Sequence, residues 1–106
     1  MNCNIESKMV FSMYIWEVFE GDNCFPGTGK TLFRSRNLKE AGEFLIKHLT
    51  KMYPNTEWDP PCYQECQEII KNILDLIERN DRADGEVIHH WDLSTERHCL
   101  RYVGVV

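Results

Sequence analysis

Three groupings of residues in this chain have types and spacings that do chemistry elsewhere. The first is Cys24-Phe25-Pro26-Gly27-Thr28-Gly29-Lys30-Thr31, which ends in a Pro-Gly-Thr-Gly-Lys-Thr core like that of a phosphate-binding loop. Such a loop cradles phosphate with successive backbone N–H groups, reaches the terminal phosphates with its lysine and holds magnesium with the next hydroxyl. Here Cys24 stands where the first glycine of G-x-x-x-x-G-K-[ST] belongs, and Thr31-Leu32-Phe33-Arg34-Ser35-Arg36 is a poor start for the helix that must follow. A nucleotide-binding fold also needs a parallel sheet with crossover helices, for which the chain has no room. The glycines and proline are therefore expected to close a hairpin with Lys30 solvated. A small-ligand or nucleotide site on loop 27–31 is kept as an alternative.

The second grouping is Cys62 and Cys66, four residues apart, with His89, His90, His98 and Cys99. Cysteines at that spacing share one face of a helix, and histidines on hairpin strands could converge on it. Compact zinc sites prefer C-x-x-C knuckles, so core packing is the stronger reading, with Cys62, Cys66, His90 and His98 as the set a zinc-stabilised module would use. The third is a nucleophilic thiol beside a histidine, for instance Cys99 with His89 or His90, which rests on residue inventory alone. His89 and His90 point to opposite faces of their strand, so one is expected inside and one in solvent, with pH sensing as the minor role.

Charge is a stronger signal than any of these motifs. Seventeen acidic residues against twelve basic ones give a net charge of −5, which opposes generic binding to nucleic acid or to an anionic membrane. The imbalance is regional. Residues 30–51 hold six basic residues and two acidic ones, a balance of +4. Residues 57–96 hold eleven acidic and three basic, a balance of −8. Solvated helix faces account for much of this, but an acidic patch that docks on a basic partner is the sharper reading. Trp58 lies in the polar connection Asn55-Thr56-Glu57-Trp58-Asp59-Pro60-Pro61, where it either folds over the helices or anchors an interface.

These side chains must be placed by a small number of elements. Residues 9–19 are dense in β-branched and aromatic types and read as a strand. Val10, Ser12, Tyr14, Trp16 and Val18 form one face, and Phe11, Met13, Ile15, Glu17 and Phe19 the other. With both faces apolar, the strand is central, or its second face is covered by another element or a second copy. Breaks at Gly21-Asp22-Asn23 and Pro26-Gly27-Thr28-Gly29 lead to a second strand at 31–36, a long-looped hairpin. Asn37 with Glu40 resembles a capping box. Leu38, Ala41, Phe44, Leu45, Leu49 and Met52 then form a helical stripe that Pro54 ends. Asp59-Pro60 opens a second helix with Cys62, Cys66, Ile69, Ile70, Ile73, Leu74 and Ile77 as its apolar stripe, ending near Asn80. After a polar turn at 81–85, strands at 86–93 and 97–105 form another hairpin. The order ββααββ predicts an α+β domain, a four-stranded antiparallel sheet with two helices packed on one face.

The chain has 106 residues, of which 42% are hydrophobic and 27% charged, which suits one domain with its own core, with residues 1–8 expected to be flexible. The five cysteines, an odd number without framework spacing, are expected to be reduced thiols. No eighteen-residue apolar run and no signal-like start are present, so a cytoplasmic protein without membrane contact is expected. The function expected is a non-enzymatic binding domain without a cofactor. Its partner is a larger protein with a basic, nucleic-acid-handling surface, where carboxylates would stand in for phosphates; direct binding of nucleic acid is not expected, and a homodimer is possible. The candidate contact residues are Glu57, Trp58, Asp59, Glu65, Glu68, Asp75, Glu78, Asp81 and Asp84. In size and charge such a domain resembles phage-encoded inhibitors of bacterial defence, including anti-CRISPR proteins.

Overall fold

The computed structural model describes residues 13–22, 27–54, 60–79 and 85–105. Strand β1 (Met13–Asp22) and strand β2 (Lys30–Ser35) are followed by helices α1 (Leu38–Met52) and α2 (Pro60–Arg79) and by strands β3 (Val87–Leu93) and β4 (Glu96–Val105). All pairings are antiparallel and the sheet order is β2-β1-β4-β3, so the first and last strands lie side by side at its centre. The ββααββ order and α+β class expected from the sequence are those observed.

Helix α1 starts where Asn37 caps it. The Asn37 side chain accepts the backbone N–H groups of Lys39 at 2.8 Å and Glu40 at 3.3 Å. The second half of the predicted box is relayed rather than direct: the Glu40 carboxylate takes the Ser35 hydroxyl at 2.6 Å, and Ser35 Oγ accepts the Asn37 N–H at 3.0 Å. A β2 residue thereby joins the cap, tying the helix start to the sheet.

Both helices cover one face of the sheet. The buried core joins Trp16 and Val18 of β1, Leu93 of β3 and Leu100 of β4 to Leu38, Ala41, Leu45 and Leu49 of α1 and Cys66, Ile69 and Ile73 of α2. Every sheet residue in that set falls on the same side under strand alternation. Tyr102 lies between Tyr14 and Trp16, with ring centroids at 5.2 and 4.9 Å, and Phe33 stacks on Phe44 at 4.6 Å. The two helices approach closely at Gly42, where an added Cβ would lie 2.7 Å from Ile77 Cδ1 and 3.2 Å from Ile73 Cγ2.

The opposite face of β1 holds a buried carboxylate. Glu17 is in register with Arg34 of β2 and Arg101 of β4, and accepts from their Nε atoms at 2.6 and 2.9 Å. The Arg101 guanidinium also sits 4.2 Å above the Phe19 ring. Arg34 and Arg101 thus cover Glu17 and part of Phe19, while Met13 and Ile88 on the same face stay exposed.

Two differences from expectation concern β1 and β4. The predicted break at Gly21-Asp22 is instead the end of β1, because Gly21 pairs with Arg97 and Asp22 with Glu96. The second hairpin turns on Ser94 and Thr95, with Ser94 at a φ of 58°, so β4 begins at Glu96. The expectations for residues 1–8 and 9–12 lie outside the described residues.

Two predictions follow from this packing. Gly42→Val should lower unfolding free energy by about 1–3 kcal/mol through overpacking against Ile77 and Ile73, measured by urea denaturation. Burial pushes the Glu17 carboxyl up, but hydrogen bonds and charge from Arg34 and Arg101 outweigh it and hold it below its ordinary value of 4.5. The stability this contributes is present above that value and is lost as pH falls through the folded-state value. Glu17→Gln should therefore flatten the decline in stability between about pH 5 and pH 3.

Candidate functional site

The sequence-derived contact residues divide by location. Glu57, Trp58, Asp59, Asp81 and Asp84 lie outside the described residues. Glu65, Glu68, Asp75 and Glu78 are all exposed on α2, on the side away from its buried stripe of Cys66, Ile69 and Ile73. Two of the four are partly neutralised along the helix: Lys71 is 3.7 Å from Glu68, and Arg79 is 3.2 Å from Asp75. On α1 the exposed cations Lys39, Lys47 and Lys51 face solvent. The exposed carboxylates Glu40 and Glu43 stand beside them on α1, so that helix is only slightly basic, while α2 sets four carboxylates against Lys71 and Arg79; most of the acidic balance of residues 57–96 lies outside α2. Leu74 of α2, 51% exposed, lines a shallow apolar groove with Ile46, Lys47, Lys51 and Pro54.

The chemistry-bearing groupings resolve differently. Lys30 opens β2 and the next helix begins only at Leu38, so the loop leads into a strand and not into the helix a phosphate loop requires. Gly29, at a φ of 130°, is needed because an added Cβ would meet the Glu20 carbonyl oxygen at 2.5 Å. Thr28, Gly29 and Lys30 line a hollow with Glu20, Asp22 and Glu96. Three carboxylates against one lysine oppose a phosphate there.

Cys99 and His90 are register partners on the face away from the helices. Burial pushes the Cys99 thiol up, against Arg101 and Arg97, and a raised thiol is a poor nucleophile. His89 lies on the helix side, 6.3 Å from the Trp91 ring, whereas His90 is exposed. Of the set weighed for zinc, Cys62 and Cys66 lie on α2 and His90 is in solvent. Cys66 Sγ points to the Leu49 carbonyl oxygen at 3.8 Å, so it packs between the helices.

His98 belongs to a different constellation. It is the register partner of Glu20 on the helix-covered face, and His48 of α1 reaches down to the same carboxylate. His48 Nε2 lies 2.8 Å from Glu20 Oε2, and His98 Nδ1 lies 3.6 Å from the same oxygen. The two imidazoles meet edge to face at 6.0 Å. The side chain of His98 is wholly buried, and among the described residues neither ring nitrogen has a hydrogen-bond partner. Burial pushes its imidazole below the ordinary range, with Glu20 acting in the opposite direction, and the 3.6 Å approach is too long for a hydrogen bond. Glu20 and His48 were not singled out in the sequence; their signal is a polar residue at an inward position of a strand or helix.

The fold defines a two-layer α+β domain whose second helix presents four exposed carboxylates. Comparison with protein-family models, with curated proteins and with solved structures finds no match. Among the described residues, no helix is long and apolar enough to cross a membrane.

A buried imidazole without partners carries a desolvation cost that an apolar side chain of similar volume does not. In metal-free buffer, His98→Leu should raise the unfolding free energy by about 1 kcal/mol in urea titrations. A loss of similar size would show that the imidazole is satisfied.

Proposed function

We propose that the chain is a small non-enzymatic protein-binding domain that docks on a basic surface of a larger protein through the acidic outer face of α2. The observation that supports this is the row of four exposed carboxylates along α2. Glu65, Glu68, Asp75 and Glu78 project to solvent from α2, while Lys39, Lys47 and Lys51 project from α1. The carboxylates draw a cationic surface to the α2 side of the helical layer.

A basic surface of that kind is what a nucleic-acid-handling protein presents to phosphates. Carboxylates placed there would compete with nucleic acid, so inhibition is the corresponding activity, of the sort found among phage anti-defence and anti-CRISPR proteins. The domain on this reading acts in the cytoplasm, without a cofactor and without touching nucleic acid or membrane. Lys71 and Arg79 reduce the field of the helix face, so partner recognition rests chiefly on Glu65 and Glu78, which have no cation within ion-pair distance among the described residues.

A photo-crosslinking residue placed at Gln64, on the acidic side of α2, should capture one protein from lysate of the native host, with or without nuclease. The same residue at Lys39 should not. Combining Glu65→Lys, Glu68→Lys, Asp75→Lys and Glu78→Lys should reduce capture by at least about tenfold while leaving the circular dichroism spectrum unchanged. Equal capture by the charge-reversed protein, or capture that nuclease abolishes, would overturn this reading.

A further inference from the structure

We propose that Glu20, His48 and His98 form a binding site for a zinc-class divalent transition-metal ion, independent of the acidic face of α2. One ligand atom from each residue lies within 4.8 Å of the others. Bonds of about 2.0–2.1 Å in tetrahedral geometry place ligand atoms roughly 3.3 Å apart. The observed separations of 2.8 Å from His48 Nε2 to Glu20 Oε2 and 3.6 Å from His98 Nδ1 to the same oxygen bracket that value. Small side-chain adjustments are enough to close the triad around an ion.

The buried His98 supplies a second and independent observation. Its side chain is 0% exposed, neither nitrogen is hydrogen-bonded, and its ring is aimed at the carboxylate and the other imidazole. A His48–Glu20 ion pair alone would account for two of the three residues and leave this one unexplained. An ion bound between all three gives His98 the partner that burial otherwise denies it.

Donor type selects the class of ion. Two imidazoles and one carboxylate suit zinc and neighbouring first-row metals, whereas calcium and magnesium take oxygen ligands. The three ligands come from β1, α1 and β4, so the site would clamp the two central strands to the helix above them. Beside Glu20, a hollow lined by Asp22, Glu96, Thr28 and Lys30 opens to solvent. Its carboxylates raise the local concentration of cations at that opening.

The test uses the full chain, purified without a histidine tag and stripped with chelator. Zinc is titrated by calorimetry against a competing chromophoric chelator, and cobalt is titrated in parallel for its absorption spectrum. One equivalent of zinc should bind with micromolar or tighter affinity. Glu20→Gln, His48→Gln and His98→Leu should each weaken binding by at least about 100-fold, the upper end of what losing a mere outer-shell partner costs. His98→Leu is expected to fold at least as stably as the parent, so loss of binding in it cannot be ascribed to unfolding. The cobalt spectrum should show visible ligand-field bands without thiolate charge-transfer bands. Absence of binding at millimolar zinc, unchanged affinity in His98→Leu, or thiolate bands from the cysteines would overturn the assignment.

Discussion

The structure depends on β1 being held from both sides. Its inward residues Trp16 and Val18 lie at the centre of the core beneath both helices. Its outward residue Glu17 draws Arg34 and Arg101 across it from the strands on either flank. A carboxylate with a side chain only 7% exposed would be costly alone, and becomes tolerable because two guanidiniums each donate to a different oxygen. The same bonds fix registry, since sliding β2 or β4 by one residue would turn its arginine to the other face and leave one oxygen of Glu17 unpaired. The edge of the cap network, Ser35, is one residue from Arg34, so registry at β2 also sets where α1 begins.

That registry determines what stands at the far end of β1. With Trp16 paired to Tyr102 and Val18 to Leu100, the next inward pair is necessarily Glu20 with His98. The sheet therefore carries two aromatic or aliphatic inward pairs and then a polar one, at the point where α1 brings His48 over it. Gly29 closes this end by passing against the Glu20 backbone, where any side chain would collide with the carbonyl oxygen. The position of the triad is a consequence of strand pairing and helix entry together, not of any local segment.

This explains what could be read from the chain and what could not. The helices were legible because Leu38, Ala41, Leu45 and Leu49, and later Cys66, Ile69 and Ile73, repeat at helical spacing and are all buried. The ββααββ order followed from strand-type composition and turn residues. The triad was not legible because His48 and His98 lie 28 and 78 positions from Glu20, and local reading ended β1 at Phe19 by treating Gly21-Asp22 as a break. Only pairing with Arg97 and Glu96, a non-local effect, keeps those residues in the strand. His98 was noticed for its type but grouped with Cys62, Cys66 and His90, since sequence cannot tell which inward position faces which helix.

Two of the buried polar groups of the sheet, Glu17 and His98, obey opposite rules. Glu17 has its charge matched by two cations within hydrogen-bonding distance, and its surroundings hold the carboxylate in its charged form. His98 is buried as completely, yet neither ring nitrogen is bonded, and burial favours its neutral form. A neutral imidazole is the form that offers a lone pair to an ion, and a carboxylate already saturated by arginine is not. Glu17 is thus a fastening of the sheet, complete in itself. His98, with Glu20 and His48 around it, has no such fastening among the described residues.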